Sequence, residues 1–145
     1  GLERGQSRMA PVPAGEAQAA LWARFEALGV ARERVVLYDR LDRARYVALF
    51  GTVDIALDPF PCNGGTTTCD ALWMGLPVVA LAGNTFLSRA SLSVLTASGL
   101  TEFAAADEAG YVALCARLTS DLPALSGLRA SLRAQLLSSP LLDAG

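Results

Sequence analysis

The 145-residue sequence contains no histidine and no lysine. Without an imidazole, a Ser/His/Asp or Cys/His catalytic arrangement cannot be assembled within this chain, and zinc loses its commonest ligand. The three cysteines, Cys62, Cys69 and Cys115, are odd in number and have no CxxC spacing. This pattern argues against a disulfide framework or a zinc knuckle. We therefore expect reduced cysteines in a cytoplasmic protein without a metal site.

The sequence also lacks a large excess of positive or negative charge and a long apolar run. The 12 basic residues, all arginines, do not cluster, and the net charge is -2, so neither nucleic acid nor an anionic membrane is expected as a partner. The longest apolar stretch, residues 72–83, is too short to span a bilayer, and the amino terminus lacks the apolar core of a signal peptide. By contrast, a hydrophobic content of 52% is enough to bury a core.

Strand-like and helix-like segments alternate along the chain. Residues 1–15 are rich in glycine and proline and predict a linker or a truncated edge, followed by one globular domain over residues 16–145. The predicted strands are 34–38, 54–57, 78–82 and 101–104, and the predicted helices are 16–28, 43–50, 66–74, 88–98, 108–118 and a final one carrying leucines 125, 128, 132 and 136. This order predicts two βαβ units that share the strand 54–57. The sequence thus predicts an α/β fold, a Rossmann-like parallel sheet with helices on both faces.

The loop between the second and third predicted strands carries the most specific chemistry. It reads Asp58-Pro-Phe-Pro-Cys-Asn-Gly-Gly-Thr-Thr-Thr-Cys-Asp70 and follows the carboxyl end of a strand, where open parallel sheets bind ligands. Adjacent glycines let backbone N–H groups approach a ligand. Threonine hydroxyls then stand at the start of a helix whose dipole favours negative charge. The loop is a candidate diphosphate cradle, although it is neither a Walker A loop nor a GxGxxG fingerprint.

The same loop admits a purely structural interpretation. Thr67 and Asp70 match the capping box of a helix N-terminus, so Asp70 either caps the helix or binds a ribose hydroxyl. Arg89 either neutralises phosphate or pairs with Asp70, and pairing is favoured. Asp54 and Asp58 flank one predicted strand and are expected to be strand-end or turn residues rather than paired catalytic carboxylates.

A second candidate site, on the helix 43–50, consists of Arg43 and Tyr46, which lie one helical turn apart near the end of the first predicted strand. They could pack around a nucleobase. Residue type and spacing favour ordinary positions on a helix surface.

The stretch DIALDPFPCNGGTTTCDALWMGLPVVALAG, residues 54–83, resembles the donor-binding segment of the protein O-linked N-acetylglucosamine transferases and, more loosely, of the plant SPINDLY fucosyltransferase. Similarity continues through SRASLSVLTASGL and LSSPLLDAG and covers most of the chain from about Arg34. The resemblance implies the C-terminal half-domain of a GT-B glycosyltransferase, an enzyme in which two Rossmann-like domains face each other.

The resemblance also implies a set of donor contacts. Together with the glycine-rich loop, it gives these substrate-binding residues: Gly64, Gly65, Thr66 and Thr67 for the diphosphate, Asp70 for the ribose, and Arg43 and Tyr46 for the uracil. The animal enzymes have histidine at the position of Gly65, and lysine and histidine at those of Arg43 and Tyr46. No catalytic residue, metal or cofactor is expected within the chain.

The activity implied is transfer of N-acetylglucosamine from UDP-N-acetylglucosamine to serine or threonine hydroxyls of proteins, with inversion. The expected partners are the UDP-sugar, a protein acceptor, and an N-terminal catalytic domain and tetratricopeptide repeats outside this chain, which by itself is expected to be inactive. Two alternatives stay open: a GDP-fucose-dependent protein fucosyltransferase and a non-catalytic nucleotide-binding or interaction module.

Overall fold

The computed structural model of the chain describes residues 7–9 and 11–142. Where the sequence predicts one globular domain, the chain divides into two compact units, residues 1–53 and 54–145. None of the described helices is long and apolar enough to cross a membrane.

The first unit contains two short parallel strands and two helices. Strand β1 (Ser7–Met9) pairs with β2 (Val35–Leu37), and α1 (Glu16–Ala27) lies between them in the chain. Helix α2 (Arg43–Phe50) follows and has the bounds that the sequence predicts. Its N-cap is Asp42, whose side chain accepts a hydrogen bond from the amide of Arg45 at 2.8 Å.

Strand β1 corrects part of the prediction for residues 1–15. A linker was one alternative, but Ser7–Met9 pairs in parallel register with Val35–Leu37. A three-residue strand carries too little periodicity to stand out among glycines and prolines, and its partner lies 28 positions away along the chain. Residues 1–6 and 10 lie outside the described part. The predicted end of α1 is confirmed, since Gly29 has φ +73°, the left-handed conformation of a helix C-terminus.

The second unit contains a three-stranded parallel sheet, ordered β3 (Ala56–Leu57), β4 (Val78–Leu81) and β5 (Ala104–Ala105). Helix α3 (Thr66–Trp73) connects β3 to β4, and α4 (Ala90–Ala97) connects β4 to β5. Helices α5 (Glu108–Ser120) and α6 (Leu122–Leu137) follow. The unit has its own apolar core, formed by Ala71, Leu72, Leu76, Val78, Val79, Ala80, Leu95, Leu100, Phe103, Ala105, Leu125, Leu132 and Leu136.

Helix α3 ends at Trp73, one residue before the predicted bound, and Gly75 ends it as the sequence predicts. Gly75 has φ +73°, and a Cβ there would lie 2.8 Å from the carbonyl oxygen of Arg129 on α6, so both backbone conformation and packing require glycine. Pro77 then leads directly into β4. The guanidinium of Arg129 donates to Gly75 O at 3.3 Å and pairs with Asp54 at 2.7 Å, which ties α6 to the end of α3 and to the start of the unit.

The α/β class with parallel strands is confirmed, but the predicted connectivity is wrong in one respect. The sequence places the strands at 34–38 and 54–57 in one βαβ unit, whereas β2 pairs with β1 and β3 pairs with β4, in separate sheets of the described chain. Hydrophobic patterning shows that a segment is a strand. It does not show which neighbour supplies the strand's hydrogen bonds.

Candidate functional site

The loop after β3 closes on itself through a buried carboxylate. Asp58, only 7% exposed, continues the strand pairing with its amide, which donates to Val79 O at 2.9 Å. Its Oδ1 accepts a hydrogen bond from the amide of Gly64 at 2.8 Å. Asn63 fixes the same loop from the other side, because its amide donates to Leu87 O at 3.0 Å and its Nδ2 to Pro59 O at 3.1 Å. The loop is therefore held at its start and at its end.

Gly64 is held at its carbonyl as well as at its amide. The carbonyl oxygen accepts from Ser91 Oγ at 2.7 Å and from Thr68 Oγ1 at 3.0 Å, and the two hydroxyls are 2.7 Å apart. Ser91 and Thr68 are 0% and 2% exposed. A Cβ on residue 64 would lie 2.2 Å from Thr67 Oγ1 and 3.0 Å from Asp58 Oδ1. The position has no room for a larger residue unless its neighbours move.

The next three residues, Gly65, Thr66 and Thr67, are exposed at the N-terminus of α3. Gly65 is the N-cap residue, so no side chain at this position caps the helix. A Cβ at Gly65 would meet no atom within 4 Å. The first N–H groups of a helix lack acceptors within the helix. The backbone bonds of α3 begin with the amide of Cys69, which donates to Gly65 O at 3.1 Å. This N-terminus is open and carries the positive end of the helix dipole.

The capping-box interpretation of Thr67 and Asp70 is wrong. The helix begins at Thr66, so Thr67 is its second residue and lies inside the helix instead of at the N-cap. Asp70 is therefore in the second turn, where it is half-buried. A carboxylate at that point does not cap the helix, and ribose binding by Asp70 stays a prediction.

Arg89 does not pair with Asp70 among the ion pairs of the described residues. Its Nη1 donates to Gly83 O at 3.0 Å, across the loop that follows β4. Gly83 also donates its amide to Ser88 O at 2.8 Å. The predicted Arg89–Asp70 pair is therefore not formed within the described residues, and Arg89 instead stabilises the loop after β4.

Arg43 and Tyr46 lie on α2 of the first unit, and the other five predicted substrate-binding residues belong to the second. Arg43 is exposed and is the first residue of the helix. Tyr46 is half-buried, and its ring meets that of Phe50 edge to face at a centroid distance of 5.0 Å. Both side chains stand one turn apart on a single helix, as the sequence predicts.

The electrostatics of the loop are dominated by burial. Burial raises the pKa of Asp58, and the Gly64 amide and the Ser91 hydroxyl oppose this only in part. The single hydroxyl proton of Ser91 is donated to Gly64 O at 2.7 Å, so its effect on Asp58 is the weaker one. Burial, followed by the charges of Cys115 and Asp58, raises the pKa of Tyr111 to about 12. Burial and the charge of Asp70 raise the pKa of Cys69, which keeps that thiol protonated.

Residues 7–9 and 11–142 contain no group of three or more His, Cys, Asp or Glu side chains that could hold a metal ion. The functional groups that the structure gathers around the loop are backbone amides and hydroxyls. Gly64, Gly65, Thr66 and Thr67 form the end of this loop and the start of α3, and their role in donor binding stays a prediction.

Sequence reasoning missed the inner support of the loop. Thr68 was grouped with its two exposed neighbours, and Ser91 was not singled out. Asp58 lies at the end of β3 as predicted, but the sequence did not predict that its side chain is buried. A signal for Thr68 existed, because residues 68, 71 and 72 fall on one helical face and the latter two are apolar. Ser91 carried no such signal.

A parallel strand, a glycine-rich turn and an open helix N-terminus form the arrangement by which α/β proteins bind anionic groups. The family model "Glycosyl transferase family 41" matches residues 10–145. The chain therefore belongs to glycosyl transferase family 41, which confirms the resemblance drawn from residues 54–83.

Individual relatives agree with the family assignment. The chain is 40% identical over 120 residues to the protein named "Probable UDP-N-acetylglucosamine--peptide N-acetylglucosaminyltransferase SPINDLY" of Petunia hybrida, which covers 82% of this chain and 13% of the relative. It is 34% identical over 108 residues to the UDP-N-acetylglucosamine--peptide N-acetylglucosaminyltransferase of Giardia intestinalis, covering 74% of this chain and 7% of that one. The chain thus spans a small part of these relatives.

A solved structure shares the fold. A mutant of the O-GlcNAc transferase of Thermobaculum terrenum superposes with a TM-score of 0.79 at 38% sequence identity. The likeness covers 84% of this chain and 24% of that one. It supports the GT-B-like α/β class inferred from the sequence.

Proposed function

We propose that this chain is the donor-binding portion of an inverting glycosyltransferase that transfers N-acetylglucosamine from UDP-N-acetylglucosamine to serine or threonine hydroxyls of proteins. The observation that carries the proposal is the open N-terminus of α3, where Gly65, Thr66 and Thr67 are exposed and no side chain caps the helix. The names of the relatives support the UDP-sugar donor and the peptide acceptor.

The diphosphate of the donor binds at this N-terminus. Amides of the first turn donate to the phosphate oxygens, the hydroxyls of Thr66 and Thr67 add further donors, and the helix dipole contributes roughly half a positive charge. As the glycosidic bond breaks, negative charge develops on the leaving diphosphate. Donors that are already oriented stabilise that charge without reorganising, which is electrostatic catalysis.

The remaining donor contacts follow from the family resemblance. Asp70 accepts a hydrogen bond from a ribose hydroxyl, and Arg43 and Tyr46 flank the uracil. The segment 62–68 has no carboxylate, and Asp58 is buried with one oxygen committed to Gly64, so we propose a donor site that works without a divalent metal. The general base, the acceptor-binding domain and tetratricopeptide repeats belong to other parts of the enzyme.

The first test is a titration of the ¹⁵N-labelled chain with UDP, followed by NMR. We expect weak, saturable shifts at the amides of 64–70, together with Arg43 and Tyr46. If a complete site binds UDP at micromolar levels, about -8 kcal/mol, losing roughly half of the contacts leaves millimolar binding, near -4 kcal/mol. Uridine, which keeps the ribose but lacks the diphosphate, is expected to leave the amides of Gly65, Thr66 and Thr67 unshifted. Equal shifts with uridine and UDP would contradict a diphosphate site.

A pair of glycine substitutions sharpens this test. Gly65 and Gly127 both have open space where a Cβ would stand, and neither has a positive φ. We expect Gly65→Ala to fold normally and to weaken the response to UDP, because the methyl group stands between the diphosphate and the first amides. Gly127→Ala, on α6, controls for the substitution itself and is expected to leave the titration unchanged.

Transfer is tested on the full-length protein that carries this segment. We expect labelled sugar to pass from UDP-N-acetylglucosamine to a serine- or threonine-containing peptide, and the isolated chain to transfer none. Without an oriented acceptor hydroxyl and a base, a bound donor gains neither proximity nor proton removal. GDP-fucose is assayed in parallel, since exclusive transfer of fucose would replace the proposed donor.

A further inference from the structure

We propose that Ser91 and Thr68 are positioning residues, whose buried hydroxyls orient the peptide group between Gly64 and Gly65 so that its N–H faces the donor diphosphate. The inference rests on the proposed function for its ligand. The orientation itself rests on the contacts of the second unit alone.

The carbonyl of Gly64 points into the protein. It receives hydrogen bonds from two hydroxyls, Ser91 Oγ at 2.7 Å and Thr68 Oγ1 at 3.0 Å, and both residues are almost completely buried. A trans peptide group is planar, with its C=O and N–H pointing in opposite directions. The N–H of Gly65, which shares this plane, is therefore turned away from the buried hydroxyls and towards the exposed side of the loop.

The other peptide plane at Gly64 is also fixed. The amide of Gly64 belongs to the peptide group shared with Asn63, and it donates to Asp58 Oδ1 at 2.8 Å. With one plane held at the N–H and the next at the C=O, both backbone torsions of Gly64 are constrained. Glycine loses more conformational freedom on ordering than any other residue, so this position needs such fixing more than most.

The two hydroxyls come from different parts of the fold. Thr68 lies in the first turn of α3, and Ser91 lies on α4, 27 residues beyond Gly64 along the chain. The Ser91–Thr68 contact of 2.7 Å joins the two helices beneath the loop. Because the hydroxyls are buried, water does not replace either bond when one is lost. The three consecutive threonines therefore divide between two roles: Thr66 and Thr67 face outwards, and Thr68 supports the loop from within.

Substitutions of Thr68 separate positioning from packing. Thr68→Val keeps the side-chain volume and removes the hydroxyl, and Thr68→Ser keeps the hydroxyl and removes a methyl group. Ser91→Ala removes the second hydroxyl. The matched control is Ser98→Ala, at the C-terminus of α4, the helix that carries Ser91. Ser98 is 2% exposed and donates to Val94 O at 2.8 Å, and among the described residues its hydroxyl has no hydrogen bond to the loop.

The first measurement needs no ligand. We expect amide exchange at Gly64 to be about fivefold faster in Ser91→Ala and in Thr68→Val, the loss that corresponds to roughly one hydrogen bond. The Gly65 amide resonance is expected to shift in the same two variants. Thr68→Ser, although less stable, keeps wild-type exchange and shift, as does Ser98→Ala. Equal behaviour of Ser91→Ala and Ser98→Ala overturns the inference.

The second measurement is UDP affinity of the same variants. We expect about a fivefold loss in Ser91→Ala and in Thr68→Val, with Thr68→Ser and Ser98→Ala near wild type. If amide exchange at Gly64 becomes faster in Ser91→Ala and Thr68→Val while UDP affinity stays unchanged, positioning of the loop does not contribute to donor binding. Absence of UDP binding by wild type, with the exchange pattern as expected, refutes the proposed function and leaves Ser91 and Thr68 as determinants of loop geometry.

Discussion

Helices α3 and α5 of the second unit begin in opposite ways. At α5 the N-cap is Asp107, in extended backbone, and its Oδ1 accepts from the amide of Gly110 at 2.7 Å. At α3 the N-cap is Gly65, with φ -112° and ψ -75°, and no side chain accepts from the first turn. The first turn of α5 also contains Glu108, whereas that of α3 contains no acid.

The N-terminus of α5 is thus capped by a side chain of the protein, whereas the N-terminus of α3 is uncapped. An aspartate cap satisfies an amide and places a negative charge beside the dipole, which stabilises the helix and repels an anion. Glycine at the N-cap costs only a few tenths of a kcal/mol relative to aspartate. Helix α3 therefore keeps its amides available for a ligand at little cost in stability.

The largest effect is expected at the first acid of α3, Asp70. We expect Asp70→Ala to weaken UDP binding by the full-length protein by about 1.5–3 kcal/mol, the range for a hydrogen bond to a charged group. Isothermal titration calorimetry measures the change. Glu108→Ala, which removes an exposed acid from α5, serves as the control and leaves UDP affinity unchanged. An Asp70→Ala protein that binds UDP like wild type has no ribose contact at this residue.

Giving α3 an acidic N-cap is expected to make it resemble α5. Gly65→Asp places a carboxylate where we propose that the diphosphate binds, and we expect UDP affinity to fall at least about tenfold, or roughly 1.4 kcal/mol. Gly65→Asn has nearly the same shape without the charge, and so it separates repulsion from steric obstruction. Fluorescence or NMR titrations on both variants give the comparison. Undiminished affinity in Gly65→Asp would place the diphosphate elsewhere.

The converse substitution, Asp107→Ala, removes the cap of α5. We expect it to lower the free energy of unfolding by about 1 kcal/mol, the usual cost of a lost N-cap, without affecting UDP binding. Urea denaturation followed by circular dichroism measures the first quantity. A loss of UDP affinity in a folded Asp107→Ala protein would mean that α5, as well as α3, serves the nucleotide site.

Asp58 and Asp107 each accept one amide hydrogen bond, but only Asp58 is buried, and its pKa is raised. A raised folded-state pKa means that the stabilising contribution is complete below pH 3.8, the unfolded value, and is lost as the pH rises through the folded value. Asp58→Asn cannot ionise and still offers an oxygen to Gly64. We expect its stability, relative to wild type, to increase as the pH rises from 3.8 towards 7, as measured by urea denaturation at several pH values. A pH-independent difference would contradict the raised pKa.

The smallest effect is expected from chelation. If helix dipole, amides and hydroxyls neutralise the diphosphate, the full-length protein keeps its transfer activity in EDTA. A metal-dependent site uses carboxylates together with phosphate oxygens to hold Mg²⁺. Activity lost in EDTA and restored by Mg²⁺ or Mn²⁺ would show that the open end of α3 does not replace the ion.

The sequence by itself determined most of the helices and strands and the position of the glycine-rich turn before α3. It missed β1, and it placed a strand at 101–104, where a 3-10 helix (Thr101–Phe103) precedes β5. The bounds of α2 and the left-handed glycines that end α1 and α3 were predictable, because helical periodicity and glycine C-caps are local properties. The exposed cradle of Gly65, Thr66 and Thr67 was equally readable, since a glycine pair before a helix follows the carboxyl end of a strand.

Only the tertiary structure decided how that cradle is held. Strand pairing separates β2 from β3, and the support of Gly64 by Ser91 and Asp58 joins residues 27 and 6 positions away from it. Hydrogen bonds between distant segments depend on how helices and strands pack, which local propensities do not encode. The physical reason is the same for Thr68: its residue type suits either a ligand contact or a buried support, and packing against α4 selects the second.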